Sequence, residues 1–433
     1  MTTSEHQQTG TYDKVRAAAL EALILIQQGD QSEHAINAVC QGRNFRPIDL
    51  RFLMQLVNGA TKMRRRLDHE IRFYLSRPSV DLSLKLSNIL RLGFFQLLFN
   101  DKVPPAAAVS ESVNLARHFT DEKQAGLVNA VMRSRLREPD KVRFISREEN
   151  PVKHLGDFYS YPDYFVEYAI TEFGLERAEK LLQAYNKPPH ITYRVNFLKA
   201  KPDEVANMLQ ENHIEFSYGK FLPEFLHIEG SGMPLEEQLL QTGKVLVQDE
   251  SAGLAVRLLN PKPGDNIVDL TAAPGGKTTY AAIRMRNKGR VTAVDKSRQR
   301  LEMLVENGKR LGIRIISPVV SDMAEFKSQQ FDRVLLDPPC SGWGTACKHS
   351  DLRWSKDSMD LDNLARIQAK MIDRAARLLK PGGVMVYSTC TIIRKENDQI
   401  VEEFLLRNPK FEIDSAAQFF GPELVNERGY VKT

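Results

Sequence analysis

Cysteine is scarce in this chain: Cys40, Cys340, Cys347 and Cys390 are the whole complement in 433 residues. So few, so far apart, they exclude a disulfide framework. No Cys-x-x-Cys pair accompanies Cys340, Cys347 and His349, so a metal site is not expected there or elsewhere. Long apolar runs are also missing. None approaches the roughly 20 residues that span a bilayer, and a membrane role is not expected. The start, MTTSEHQQTGTYDKVRAAALEALILI, lacks the basic region, short apolar core and cleavage site of a signal peptide, so the chain is expected to stay in the cytoplasm. No fixed-period repeat or low-complexity tract occurs. Charge of neither sign dominates: the net is +5 and the pI about 8.8. That balance is compatible with a polyanionic partner but does not establish one, so local clusters must carry the argument.

What is present falls into three stretches. From about Tyr12 to Arg137 the signals are helical, with apolar residues three and four apart in VRAAALEALILI, DLRFLMQLVNGATKMRRRLDHEIRFYL, LSLKLSNILRLGFFQLLF, AAAVSESVNLARHF and QAGLVNAVMRSRL. Pro47, Pro78 and Pro104-Pro105 fall between these segments, where helix breaks cost little. The expectation is an all-α bundle over 1–140, a small α+β connecting domain over 141–243, and an α/β domain over 244–433. The connecting stretch offers one helix over DYFVEYAITEFGLERAEKLLQAY and a strand at ITYRVNF. In the last stretch NIVDL, RVTAVD, IISPVV, RVLLD and VMVYSTC alternate with helical segments, the pattern of a parallel, doubly wound sheet. Within the bundle, KMRRRLDHEIR places Lys62, Arg64, Arg65 and Arg66 close together. Such a run is either a solvated helix face or an RNA contact, and the two readings weigh about equally.

In a doubly wound sheet, ligands bind beyond the carboxyl ends of the strands, and the chain's distinctive residues stand there. DLTAAPGGKTT follows the first strand, and Gly275 and Gly276 would let backbone N–H groups approach a ligand at a helix N-terminus. Gly276-Lys277-Thr278 matches the end of a P-loop, but the earlier glycine which that motif requires falls at Thr271. Asp295 ends the second strand, where an acid can hold ribose hydroxyls, and Asp322 follows the third, where an acid can accept from an adenine amino group. This order suggests S-adenosyl-L-methionine, held by Thr271, Ala272, Ala273, Pro274, Gly275, Gly276, Lys277, Asp295, Asp322 and Asp337. The reactive group would then be a methyl donor.

What it alkylates is suggested by LLDPPCSGWGTAC and YSTC. Carbon 5 of cytosine is a poor nucleophile until a thiolate adds at carbon 6. That chemistry needs a Cys with thiolate character, a group on the amino edge of the base, and a base for the departing proton. Asp337, Cys340 and Cys390 are the right types, and the Pro338-Pro339 corner would aim Asp337 and Cys340 at one base. Spacing alone does not choose between the cysteines. Two rivals remain open at this point: an amino-methyltransferase, whose Asp/Asn-Pro-Pro corner ends in an aromatic residue rather than Cys, and a non-catalytic RNA-binding assembly factor.

DLTAAPGGKTT, LLDPPCSGWGT and YSTCTIIRKEN resemble three signature motifs of the bacterial 16S ribosomal RNA cytosine-5 methyltransferases of the RsmB, or Fmu/Sun, type. The resemblance extends through YRVNFLKAKPDEVANML and VLVQDESAGLAV, and the helical stretch resembles that family's NusB-like RNA-binding domain. It implies a multidomain protein with a Rossmann-like methyltransferase domain, acting as a monomer on 16S ribosomal RNA. It implies further that Cys390 is the nucleophile, that Cys340 assists proton removal and enzyme release, that Asp337 orients the base with Lys277 near it, and that Asp295 and Asp322 hold the cofactor. The chain departs from the pattern at Thr271, where Cys is usual, at Trp343, and over ACKHSDLRW. In the resembled family a further stretch with an Asp-Gly-Phe-Phe strand follows a segment like NERGYVKT. The expectation here is therefore a sheet without that strand, and KFEI, Lys410 to Ile413, as the strand before it.

Overall fold

The structure, a computed structural model, describes residues 12–77, 81–229, 233–355 and 358–433. Its chain divides into two units, Met1–Pro188 with Thr345–Asp357, and Pro189–Gly344 with Ser358–Thr433.

The first unit is helical: Lys14–Gln27, Ser32–Cys40, Pro47–Lys62, Arg64–Tyr74, Leu84–Phe99, Pro105–Phe119 and Glu122–Arg137, then Pro151–Tyr159, Asp163–Phe173 and Leu175–Asn186. Polar caps begin several of them. Asp13 accepts from Arg16 N–H, Ser83 from Leu86, Asp121 from Gln124 and Asn150 from Lys153, contacts worth about 1 kcal/mol each. The apolar stripes meet in a core that includes Leu20, Leu53, Leu56, Ile89, Phe94, Leu115 and Val128. Two segments expected to be continuous are broken. The helix through DLRFLMQLVNGATKMRRR stops at Lys62 and restarts at Arg64, because Met63 leaves the helical region at φ −92°, ψ 14°. The helix over DYFVEYAITEFGLERAEKLLQAY breaks at Gly174, whose φ of +78° is a left-handed value that glycine adopts readily.

Residues 345–357 are bound into this helical unit by polar contacts. Arg353, fully buried, lies 3.9 Å over the Tyr161 ring and donates to the carbonyls of Ser160 (3.2 Å) and Tyr185 (3.2 Å). Trp354 Nε1 donates to Thr61 O at 2.7 Å, and Ser350 Oγ to Asn58 Oδ1 at 3.0 Å.

The second unit carries two sheets. The smaller holds β1 (Ile191–Val195), β2 (Glu215–Tyr218), β3 (Phe225–Glu229) and β4 (Val245–Val247) in the antiparallel order β2-β3-β1-β4. It packs with the helices Pro202–Glu211 and Met233–Gln241 through Tyr193, Val195, Leu209, Leu226 and Leu239. The larger holds β5 (Asn266–Asp269), β6 (Arg290–Asp295), β7 (Ile316–Val320), β8 (Phe331–Leu336) and β9 (Leu379–Tyr387), all parallel, in the order β7-β6-β5-β8-β9. Val268, Val294, Val334 and Leu336 are buried, as expected where helices cover both faces of a parallel sheet. Strand order reverses between β5 and β8, which opens the crevice at their carboxyl ends. Lys410 to Ile413 is not a strand. Phe411 N–H bonds back to Asn408 O, and its ring packs edge-on against Phe404 at 5.1 Å, so this stretch closes the helix Asp398–Arg407 instead of joining a ladder.

Candidate active site

β5 runs straight into the glycine turn, and Asp269 at its end anchors that turn. It is 2% exposed; Thr278 Oγ1 donates to its Oδ2 at 2.6 Å and Thr271 N–H to its Oδ1 at 3.3 Å. Burial pushes its carboxyl up to about 6 against the pull of those hydrogen bonds. Gly275 sits at φ +108°, and a Cβ there would lie 2.7 Å from Leu304 Cγ, so the turn requires glycine on both conformation and space. The turn is also held from the smaller sheet. Arg194 of β1, 1% exposed, donates to Gly276 O (2.7 Å), Thr279 Oγ1 (3.1 Å) and Gln248 Oε1. Nothing in ITYRVNF marks Arg194 out, because Thr192 to Asn196 are buried on both faces of the strand.

Asp295 ends β6 with Oδ2 accepting Ala273 N–H at 3.2 Å and Oδ1 accepting Ser297 N–H at 2.9 Å. Each oxygen keeps a second lone pair, which is the acceptor set a ribose diol requires. Asp322 follows β7 as an exposed side chain, its Oδ1 accepting Ala324 N–H at 2.8 Å.

The ends of β8 and β9 carry the rest. Lys277 Nζ donates to Asp337 Oδ2 at 2.6 Å, Ser388 Oγ donates to Asp337 Oδ1 at 3.2 Å, and Asp337 N–H donates to Thr271 Oγ1 at 3.0 Å. Thr271 therefore ties the glycine turn to the Asp-Pro-Pro corner. Burial opposes the charge of Lys277, but Asp337, Asp269 and Cys390 outweigh it and hold the ammonium above its ordinary range. Cys340 Sγ and Cys390 Sγ lie 3.3 Å apart. Their polarity is one-sided. The hydrogen bond from Cys340 and the charge of Lys277 pull the Cys390 thiol down, against burial and Asp337, and the net is a lowered value. Donating to Cys390, burial and the Cys390 charge push Cys340 up. Both directions favour charge on Cys390 over Cys340. Trp343 is fully buried.

Residues 256–428 match the family described as 16S rRNA methyltransferase RsmB/F, residues 13–137 match the NusB family, and residues 161–234 the ferredoxin-like domain of RsmF/B-like methyltransferases. The chain is 33% identical to the probable ribosomal RNA small subunit methyltransferase B of Bacillus subtilis, over 95% of this chain and 92% of that one. The chain belongs to the RsmB/F methyltransferase family. Among solved structures it is similar to PH0851, with a TM-score of 0.76 at 28% identity over 96% of this chain and 94% of that one. It is also similar to NSun6 from Pyrococcus horikoshii, solved with SFG, with a TM-score of 0.56 at 25% identity over 64% and 94% of the two chains.

The cofactor of an RsmB/F enzyme is S-adenosyl-L-methionine, and the residues at the strand ends fit it: a carboxylate with free lone pairs at Asp295 and a glycine turn opening the helix Gly276–Arg284. Asp295→Ala removes the acceptor of two backbone N–H groups and the free lone pairs that would meet a ribose. Affinity for the cofactor is expected to fall by about 1.5 to 3 kcal/mol with RNA binding little changed. Titration calorimetry with S-adenosylmethionine checks this, and unaltered affinity would remove Asp295 from the site.

The basic residues singled out in the first unit are engaged there. Lys62 Nζ donates to Cys347 O at 2.9 Å, and burial and the Arg353 charge push its ammonium down to about 8. Arg64 lies 4.4 Å over the Trp354 ring, and Arg66 pairs with Glu70 at 2.8 Å and lies over Phe144 and Phe158. Arg65 bonds Asp157 (2.6 Å), Asp163 (2.5 Å) and Tyr161 O (2.6 Å). Arg65→Ala leaves the Asp157 carboxylate, 6% exposed, without its shortest partner. Denaturant unfolding is expected to show a loss of about 2 to 3 kcal/mol. A loss under about 0.5 kcal/mol would show that the pairs do not matter to the fold.

Proposed function

We propose that this protein methylates carbon 5 of one cytidine in 16S ribosomal RNA through a covalent bond between Cys390 and carbon 6 of the base. The carrying observation is the geometry: Cys340 Sγ and Cys390 Sγ 3.3 Å apart at the ends of neighbouring strands, beside the Lys277–Asp337 ion pair at 2.6 Å.

The Cys390 thiolate adds at carbon 6 and the ring becomes an enamine. The Asp337 carboxylate accepts from the amino edge of the base and so sets which ring edge faces the sulfur. Lys277 supplies the donor for negative charge gathering on the ring, and it stays protonated because Asp337 holds it so. When bound, S-adenosylmethionine supplies an electrophilic methyl group for carbon 5. The proton at carbon 5 must then leave, with expulsion of Cys390 from carbon 6. Two of the three causes that hold Cys340 protonated, its hydrogen bond to Cys390 and the charge there, vanish once Cys390 is a thioether. Cys340 can then release its thiol proton to solvent, and the thiolate so formed takes the carbon 5 proton as Cys390 is expelled.

Bisulfite sequencing of 16S ribosomal RNA from cells with and without the gene tests the reading. One cytidine should resist deamination only when the gene is present, and nucleoside mass analysis should place the methyl on carbon. A methyl on the exocyclic nitrogen would make the protein an amino-methyltransferase, and failure to bind S-adenosylmethionine would make it an assembly factor.

A further inference from the structure

The motif YSTCTIIRKEN ends in Glu396 and Asn397, which touch neither sulfur. We propose that Glu396 and Asn397 are positioning residues that grip the peptides flanking Cys340 and Cys390 respectively, and so set the spacing of the thiol pair.

Glu396 is fully buried. Its Oε2 accepts Ser341 N–H at 2.8 Å, one residue after Cys340, and Gln368 Nε2 at 2.9 Å. The same Gln368 nitrogen donates to Pro339 O at 2.9 Å, one residue before Cys340. Both sides of Cys340 are therefore tied to one carboxylate. Asn397 does the same for Cys390. Thr389 Oγ1 donates to its Oδ1 at 2.5 Å, and its Nδ2 donates to Thr391 O at 2.8 Å and to Ile393 O at 3.2 Å. The two grips are joined across the loops, because Ser341 Oγ and Thr391 Oγ1 are 2.7 Å apart and Gly344 N–H donates to Cys390 O at 3.0 Å.

Neither residue does what its type usually does. Asn397 is the N-cap of the helix Asp398–Arg407, yet its side chain makes no cap hydrogen bond there and is turned on the cysteine loop instead. Glu396 pairs with no Lys, Arg or His among the described residues, and its Oε1 finds no hydrogen-bond partner among them. A buried carboxylate without a cation is unfavourable for the fold, so its retention needs another reason. Tyr387 fixes the backbone there by donating to Glu396 O at 2.7 Å. A hydrogen bond between two sulfurs at 3.3 Å depends on both loops at once, and these contacts are what align them.

The inference rests on the reading of Cys390 as the nucleophile, and the test separates the two. The full-length protein, without RNA or cofactor, is alkylated with iodoacetamide from about pH 6 to 10, and the Cys390 peptide is followed by mass spectrometry with Cys40 as the internal thiol. In the parent protein the Cys390 midpoint should lie below the ordinary thiol range. In Glu396→Ala and Asn397→Ala it should rise by about one unit, so that reactivity at neutral pH falls about tenfold. Glu396→Gln keeps an acceptor oxygen for Ser341 and Gln368 and should stay within about twofold of the parent. Turnover should follow the thiolate fraction, with kcat reduced and KM for S-adenosylmethionine unchanged, because the grips do not touch the glycine turn. If the alanine variants do not fold, Gln368→Met and Thr389→Val loosen one grip each and should move the midpoint the same way. A midpoint that stays put in folded variants overturns the inference. A missing RNA adduct would instead overturn the cytosine-5 reading and leave the alkylation result standing.

Discussion

Cys340→Ala is expected to stop the reaction with RNA still attached to the protein, whereas Cys390→Ala should give neither product nor adduct. The two thiols are 3.3 Å apart but are not equivalent, because Lys277 and the Cys340 hydrogen favour charge on Cys390. On the proposed reading Cys390 is the group that attacks carbon 6, so its loss should lower methyl transfer at least about 10³-fold. Removing Cys340 takes away one cause of the lowered Cys390 thiol, so attack slows at neutral pH, but Lys277 remains and attack continues. What is lost is the base for the carbon 5 proton. Without it the methylated base cannot expel Cys390, and a denaturant-resistant protein–RNA band should accumulate on gels, dependent on both RNA and S-adenosylmethionine. An adduct that built up in Cys390→Ala and not in Cys340→Ala would reverse the roles.

The proposed site was legible in the sequence because a strand running into a turn is a local pattern, and a parallel sheet gathers the ends of its strands. Asp295, Asp337, Cys340 and Cys390 were found in that way, and all four stand at strand ends in the structure. The choice between the cysteines was not readable from spacing. It rests on the neighbourhood of Lys277, which belongs to a different turn, and on a contact between sulfurs 50 residues apart in the chain. Arg194 escaped notice for a related reason: its effect on the glycine turn is made 82 residues away, at Gly276 O. Glu396 and Asn397 lay inside a quoted motif, yet the contact from Glu396 to Ser341 spans 55 residues, and only the fold brings it about. Local geometry misled in the helices too. Gly174 could have signalled its break, being the residue type that accepts a positive φ, but nothing about Met63 marks an end. The strand expected at KFEI came from the family resemblance, whereas Asn408-Pro409 turns the chain and Asn408 O takes up the Phe411 N–H that a ladder needs.

Lys277→Met is expected to shift the whole pH dependence of the enzyme upward and to lower kcat about 10²- to 10³-fold at neutral pH. Lys277 lowers the Cys390 thiol and Asp337 raises it. With the lysine gone, the Cys340 hydrogen bond still lowers the thiol but no cation offsets Asp337, so the thiolate fraction at a given pH must fall and the acid limb of the rate must move to higher pH. Part of the activity should return by about pH 9 to 10 as the thiol ionises without help, though not all of it, because the donor for charge on the ring is still missing. Asp337→Asn separates the two contributions by sign. It removes the charge that raises Cys390, so iodoacetamide should alkylate that residue at lower pH than in the parent, yet methyl transfer should still collapse because the amide presents the base with a mixed donor and acceptor edge. Thiol reactivity and turnover thus move together in Lys277→Met and in opposite directions in Asp337→Asn. If the acid limb did not move in Lys277→Met, the ion pair at 2.6 Å would be holding the loop in place and not setting the charge of the nucleophile.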